Sequence, residues 1–389
     1  MIRLVLAARA LRGFADGCIA VVLPAYLLAL GHGELEVGLI STATLFGSAC
    51  TTLAVGRWGH RFPIRRLMLA AALLMAATGA AFAGFSSLWP LLVVGFTGTL
   101  NPSSGDASVF MPLDHTMLAT TAAEQRTAVF ARYSFIGSAA GALGALAAGA
   151  PEWLAAVGWT LLDGLRAMFL LYAATGLVVW CLYRQLPVPR VEEQRPPAAL
   201  GRSRGIVWRL AGLFSIDSFA GGLVLNSLLV LWLFERFGMS LAAAGAFFFW
   251  TGALSAVSQL AAAPLARRIG LVNTMVFTHI PSSLFLIAAA FAASAEVALA
   301  CLLARSLLSQ MDVPARGAFV MSVVTPEERP AAASFTSVPR SLAAAASPAL
   351  AGALFAAGAM AAPLVICGVL KIAYDVALFA AFRRAELRR

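Results

Sequence analysis

Apolar runs of twenty residues and more recur along this chain from end to end, and that repetition leaves it few ways to fold. Each run is long enough to cross the hydrocarbon core of a bilayer as an α-helix. A helix satisfies its own backbone hydrogen bonds, which lipid cannot do for it. Composition agrees. The chain is 61% hydrophobic and 12% charged, where a soluble protein is about half apolar and a quarter charged. It therefore reads as an all-α polytopic membrane protein embedded in the lipid bilayer.

Twelve spans are expected, near 8–30, 36–56, 67–86, 88–120, 127–149, 163–184, 207–234, 241–264, 271–293, 296–323, 332–356 and 361–382. An even number puts both termini on one side, and the arginines choose it. The formal net charge is +10, and only one of the 28 Lys and Arg residues is a lysine. Arg57, Arg61, Arg65 and Arg66 follow span 2, and Arg126 follows span 4. Arg184, Arg190, Arg195, Arg202 and Arg204 surround the central loop. Arg267 and Arg268 follow span 8, Arg329 follows span 10, and Arg383, Arg384, Arg388 and Arg389 lie in the tail. The opposite loops hold only Arg166 and Arg236. Cytoplasmic loops carry the excess of Lys and Arg, so both termini are expected in the cytoplasm, with the protein in the inner (plasma) membrane. This topological role accounts for the basic balance, and no nucleic-acid partner is expected. No signal-peptide cleavage pattern precedes the first span, so the N-terminus is expected to be retained.

The chain is built twice. "GRWGHRFPIRR" (56–66) after span 2 finds an echo in "APLARRIGLVN" (263–273) after span 8. "AAEQR" (122–126) before span 5 echoes "TPEER" (325–329) before span 11. The offsets, 207 and 203 residues, are close. Two six-helix bundles follow, 1–186 and 206–389, joined by the Pro- and Arg-rich linker 187–205. Repeated halves around a central polar site are a common transporter plan.

Over essentially its full length the chain resembles the major facilitator superfamily. The twelve spans, the central loop and the basic stretch 56–66 carry the resemblance. That stretch is similar to the family's motif A, glycine-x-x-x-Asp-Arg-x-Gly-Arg-Arg: Gly56, Arg61, Arg65 and Arg66 fit. His60 stands where Asp is usual and Pro63 where Gly is usual, which weakens the charge latch that the resemblance implies for the cytoplasmic gate. In span 5, "GSAAGALG" (137–144) resembles the glycine-rich antiporter motif through Gly137, Gly141 and Gly144, with Ala142 replacing the usual Pro. In span 11, "RSLAAAASPALAG" (340–352), with Pro348, reads as its partner in the other half. The resemblance implies a gating role for these stretches. Close helix packing is the plainer role for the glycines.

Any mechanism rests on the charges inside the spans. Each costs roughly 2.5–3.5 kcal/mol to place at a span centre, so such groups face a bundle interior or a wet cavity. Lys371, the single lysine, falls in the middle of span 12, with Asp375 one helical turn on. At this one place the chain uses the basic side chain that can lose its proton when desolvated. The pair reads either as a structural ion pair or as a site for substrate charge or proton movement. In span 10, "RSLLSQMDVPARGAF" (305–319) places Asp312 near mid-membrane between Arg305 and Arg316, and Pro314 is expected to loosen the helix there. Span 4 is long, and "TLNPSSGDASVFMPLDHTMLA" (99–119) is expected to break near 101–106, with Asp106 at the break. Asp114 and His115 follow, suited to proton transfer or to a gate contact with Arg132. Asp16 in span 1, and Asp217 and Asn226 in span 7, lie on the first helices of the two halves, which the resemblance implies line the cavity. Arg340 in span 11 needs an acidic partner or an anionic substrate. His279 reads as a packing residue.

A Walker A lysine is impossible here, because the one lysine lies inside a span, and neither HExxH nor GxSxG occurs. An enzyme is therefore not expected. The five cysteines are isolated, so neither a disulfide frame nor a metal site is indicated, although a converging set would suit metal or metalloid efflux. The expected protein is a monomeric secondary transporter of the bacterial efflux type, working by alternating access. It needs no cofactor beyond a coupling proton and exports a small molecule in exchange for H+. The alternative is a uniporter or importer of a small polar or anionic solute.

Overall fold

A computed structural model describes residues 1–103, 108–119, 123–187, 201, 203–325 and 328–386. The described residues form helices and short connections. α1 (Ile2–Ala29), α2 (Glu34–Trp58) and α3 (Ile64–Gly84) are spans 1 to 3. Between the first two, Gly31 turns with φ 85, a left-handed conformation that glycine reaches without strain. The N–H of Gly33 donates to the Glu36 carboxylate at 2.9 Å, satisfying one of the donors at the start of α2.

Span 4 is divided as expected. α4 (Leu88–Phe96) stops and α5 (Phe110–Ala119) begins after thirteen intervening residues. Gly98 has φ 74, and Asn101 Oδ1 accepts from the Ser103 N–H (3.1 Å) and hydroxyl (2.7 Å), a side-chain turn that competes with helix. α6 (Ala123–Ala147) and a short α7 (Ala150–Ala156) make span 5, and α8 (Leu161–Arg184) makes span 6.

In the second half, spans 7, 10 and 11 are also interrupted, which was not anticipated for spans 7 and 11. α9 (Arg204–Gly222) and α10 (Asn226–Phe237) meet at 223–225, α13 (Ala295–Ser309) and α14 (Asp312–Val323) at 310–311, and α15 (Arg329–Ala346) and α16 (Pro348–Ala356) at Ser347. Pro348 starts α16, where a missing N–H costs nothing. For span 10 the expectation needs correcting. Pro314 does not loosen a continuous helix; it sits in the first turn of α14, and the chain breaks just before it. α11 (Leu241–Ile269), α12 (Leu271–Ala290) and α17 (Ala362–Glu386) are spans 8, 9 and 12. Ten stretches of the described residues are long and apolar enough to cross a membrane. The other two expected spans, 88–120 and 332–356, are divided between α4 and α5 and between α15 and α16.

The broken ends find partners. The Ser227 N–H at the start of α10 donates to the Pro102 carbonyl in the break of span 4, at 3.1 Å. The Glu152 carboxylate accepts from the first two N–H groups of α11, Leu241 at 2.6 Å and Ala242 at 3.1 Å. A carboxylate there also suits the positive end of the helix.

The described chain forms two compact units. One holds Met1–Glu192, Leu225–Gly252 and Pro348–Ala356, and the other holds Glu193–Val224, Ala253–Ser347 and Ala357–Arg389. In the first, α1 packs on α6 and α3 on α8 through small residues. A Cβ on Gly17 would overlap the Gly141 carbonyl, and one on Gly144 the Phe14 carbonyl. Gly79 and Gly176 do the same between α3 and α8. Helices that approach this closely gain van der Waals contact, the main adhesive available in lipid. Tyr26, Phe82 and Phe169 fill the space beside them, with ring centroids 4.7 and 5.2 Å apart. In the second unit α9 packs on α15 and α17, and α12 on α13, α14 and α17. Its apolar core includes Val207, Phe214, Met275, Phe319, Tyr374 and Leu378.

Candidate functional site

The second unit buries a ring of charges. Asp217 comes from α9, His279 from α12, Arg305 from α13, Asp312 and Arg316 from α14, Arg340 from α15, and Lys371 and Asp375 from α17. Lys371 Nζ donates to Asp217 Oδ1 at 2.6 Å and lies 3.3 Å from His279 Nε2. The other imidazole nitrogen, Nδ1, is 3.1 Å from Asp375 Oδ1. These contacts select a tautomer. Nε2 accepts from the ammonium, and Nδ1–H donates to Asp375. An unbroken chain Asp217–Lys371–His279–Asp375 results. Arg316 pairs with Asp312 one turn earlier on its own helix, and its Nη1 lies 3.2 Å from Asp217 Oδ2. Asp217 therefore faces two cations. Asp375 is fully buried, and the Asp217, His279, Asp312 and Arg316 side chains are each at most 8% exposed.

Beside this network is a cavity of about 120 Å3, lined by His279, Ser282, Arg305, Asp312, Arg316 and Lys371 with Ser309, Gln310 and Val313. Arg340 stands at the network's edge. Its Nε donates to the Ser218 hydroxyl at 3.1 Å, and its guanidinium lies 6.0 Å from the Phe214 ring.

Several expectations change. Lys371 and Asp375 do not pair. They share a helix face, but His279 sits between them and Asp217 reaches the ammonium from across the bundle, so the lysine's carboxylate partner is Asp217. His279 is not a mere packing residue; it is the bridge. The one legible signal was its position inside an apolar stretch, "FTHIPSS", at a depth where a polar ring needs partners. Arg340 has a hydroxyl and an aromatic face, not an acid, among the described residues.

In the first unit, Asp114 is held by Arg12 and accepts from the hydroxyls of Tyr133 (2.8 Å) and Tyr183 (3.2 Å). Arg132, its expected gate contact, is exposed, while Arg12 is 2% exposed and stacks its guanidinium 4.1 Å from the Phe110 ring. Arg12 on α1 was missed because the sequence places it only four residues into span 1, where an arginine reads as a loop charge. Among the described residues no bond joins His115 to Asp114; the His115 ring meets Phe130 and Tyr133 edge-on. Neighbours in sequence point apart on a helix, which is why the Asp–His pair does not form. Asp114 thus reads as an ionic node joining α1, α5, α6 and α8.

Asp16 is buried on α1, and Asn226 is half-buried at the start of α10, which belongs to the other compact unit from Asp217. Asp106 and the linker 188–200 lie outside the described residues, as does the His60 side chain. Of the motif-A stretch, Gly56, Arg61 and Arg66 are exposed, and Arg65 donates to the Arg184 carbonyl at the end of α8. Gly137 lies against the Arg9 side chain and Gly141 against Gly13, both on α1, and Pro348 lies against Gly38 on α2.

The chain is 23% identical to the uncharacterized membrane protein YJR124C of Saccharomyces cerevisiae, over 84% of this chain and 82% of the yeast protein. Among solved structures, the D-xylose-proton symporter superposes with a TM-score of 0.76 at 16% identity, covering 97% of this chain and 96% of its own. A bacterial homologue of the human lysosomal transporter Spinster, solved inward-facing and unoccupied, gives 0.74 at 14% identity, covering 100% and 97%. Those likenesses carry the fold. The model of the Major Facilitator Superfamily matches residues 5–309. This chain, a multi-pass membrane transporter and not an enzyme, belongs to the Major Facilitator Superfamily.

Proposed function

We propose that this protein is a proton-coupled secondary transporter, moving a small molecule by alternating access with the Asp217–Lys371–His279–Asp375 chain as its coupling centre. One observation carries the reading. His279 Nε2 can accept from Lys371 only while it is unprotonated. A proton placed there turns the nitrogen into a donor facing an ammonium, so proton arrival and the Lys371–His279 contact exclude each other. Releasing Lys371 in turn changes the charge that Asp217 feels. Such a pair of mutually exclusive arrangements is what couples a proton to a conformational or binding change.

Direction follows from what the solute does to Asp217. Export in exchange for protons requires solute and proton to compete for the network, as a cationic or neutral solute would. The antiporter-like glycines of span 5 favour that direction. Uptake of an anionic solute has its own support in Arg305, which has no acid partner among the described residues. The test is solute-driven proton flux in reconstituted vesicles. His279→Gln keeps a donor and an acceptor but cannot titrate. It is expected to fold normally and to lose proton flux at least tenfold. The groups facing His279 are Asp217 on α9, Arg305 on α13, Asp312 and Arg316 on α14, and Lys371, Tyr374 and Asp375 on α17, so the variant is read in the intact network. Transport that is indifferent to the proton gradient in the parent protein refutes the coupling.

A further inference from the structure

The cavity beside the network is positive by construction. Four cations (Arg305, Arg316, Arg340 and Lys371) stand with three carboxylates (Asp217, Asp312 and Asp375) among the described residues, so one positive charge is left over with His279 neutral. The imbalance is local. Asp217 and Asp312 are both engaged by Arg316, and Asp375 is turned to His279. Arg305 is half-buried, lines the cavity, and has no hydrogen bond or ion pair through its guanidinium among the described residues. Arg316, 7% exposed, leaves its Nε without a hydrogen-bond partner, and its Nη1 approaches Asp217 without hydrogen-bonding alignment. Buried donors of charged groups are costly to leave unmade, and a charge inside a membrane bundle marks a substrate or ion path by default. Two guanidiniums with donors to spare on one cavity match a planar or tetrahedral oxyanion, which they can bind through paired N–H groups. Ser282, Ser309 and Gln310 add neutral polar groups to the same wall. Size limits the ligand: an engineered cavity of about 150 Å3 holds benzene. This one, about 120 Å3, takes a group of a few heavy atoms, such as a carboxylate or phosphate on a short stem.

We infer that this cavity binds the oxyanion group, carboxylate or phosphate, of a small anionic solute, held by Arg305 and Arg316 with Lys371 as the movable third cation. The inference deepens the transport reading and rests on it for the solute's passage, while binding itself needs no gradient. It also sets a sign. An anion drawing Lys371 away from Asp217 leaves that carboxylate with Arg316 as its one cation, and a proton taken up with the anion restores the local charge balance. Solute and proton are then bound together, not in competition.

Purified protein in phosphatidylcholine nanodiscs tests this by thermal unfolding and titration calorimetry at constant ionic strength. The probes are sodium acetate and sodium phosphate, with sodium chloride and sorbitol as controls. Acetate or phosphate is expected to raise the unfolding temperature above the chloride value and to bind with proton uptake. Arg305→Gln is expected to weaken that binding at least tenfold. Its removal strands no carboxylate, so the fold should stand. Should it fail to fold, Arg305→Lys, which keeps the charge but loses the paired N–H groups, is expected to bind several-fold more weakly. Unfolding temperatures with acetate and phosphate equal to that with chloride overturn the inference. So does unchanged affinity in Arg305→Gln, or in Arg305→Lys where that variant serves. Nanodiscs with phosphatidylglycerol form a separate arm. If that lipid alone gives the stabilisation and soluble anions add nothing, the pocket serves a lipid headgroup and the solute assignment falls. Anion binding without proton flux in vesicles leaves this inference intact and removes the coupling reading instead.

Discussion

At the scale of single residues, the two units handle buried charge in contrasting ways. Asp114 receives a guanidinium and two tyrosine hydroxyls, so its charge is met by partners within the first unit. The Asp217 cluster is unbalanced, shares Lys371 between two partners and borders a cavity. Removing one member of a buried pair typically costs about 3–5 kcal/mol, because its partner is left charged and dry. Asp217→Asn should therefore lower the unfolding temperature markedly and abolish transport. The double change Asp217→Asn with Lys371→Met should recover most of the stability and none of the transport. Stability by thermal unfolding and flux in vesicles, measured on the singles and the double, decide the matter. A double variant that transports like the parent makes the pair purely structural. Asp312→Asn is less informative than its depth in the span suggests, because it also frees Arg316 and would cost stability whether or not Asp312 titrates.

At the scale of helices, contacts between small residues set how closely α1 and α6 approach, and the two partners in a contact are not equivalent. A Cβ on Gly17 has no room beside the Gly141 carbonyl, whereas one on Gly141 meets the Gly13 carbonyl at 3.5 Å, an ordinary contact. Gly17→Ala should therefore destabilise by about 1–3 kcal/mol, the usual cost of overpacking. Gly141→Ala should be nearly neutral in stability. Thermal unfolding of the two variants checks it, and equal losses would mean that α1 and α6 do not pack in this register. A motif reading centred on span 5 names Gly141 and passes over Gly17, although Gly17 is the position with no space. The breaks in spans 4, 7, 10 and 11 belong to this scale as well. Asn101–Pro102 announced the first by its turn chemistry. The break between α9 and α10 carries only Gly221–Gly222 as a signal and is sustained by a carbonyl more than a hundred residues away, that of Pro102.

For the molecule as a whole, arginine placement predicts the orientation in the membrane. Reporter fusions after residue 389 and within the linker 187–205 should both report cytoplasm, and one at Gly358, in the connection before α17, should report the opposite side. Activity of the same reporter on both sides would overturn the twelve-span topology. The two halves expected from the repeat are a statement about sequence. The contact units are a statement about packing, and they differ because α10 packs on α1 and α2, and α16 on α2. Those contacts join stretches hundreds of residues apart, which no local pattern could announce.

Membrane insertion, helical class and family were legible in the sequence alone. Each depends on local hydrophobicity and charge summed over windows, and lipid enforces the rest. The depth of Lys371, Asp375, Asp312 and Asp217 was legible for the same reason, since a charge inside an apolar run stands out. Who pairs with whom was not. An i,i+4 spacing makes Lys371 and Asp375 neighbours on one helix, but hydrogen bonds form to whichever group the bundle brings nearest. Packing of α9, α12 and α17 put Asp217 and His279 there instead.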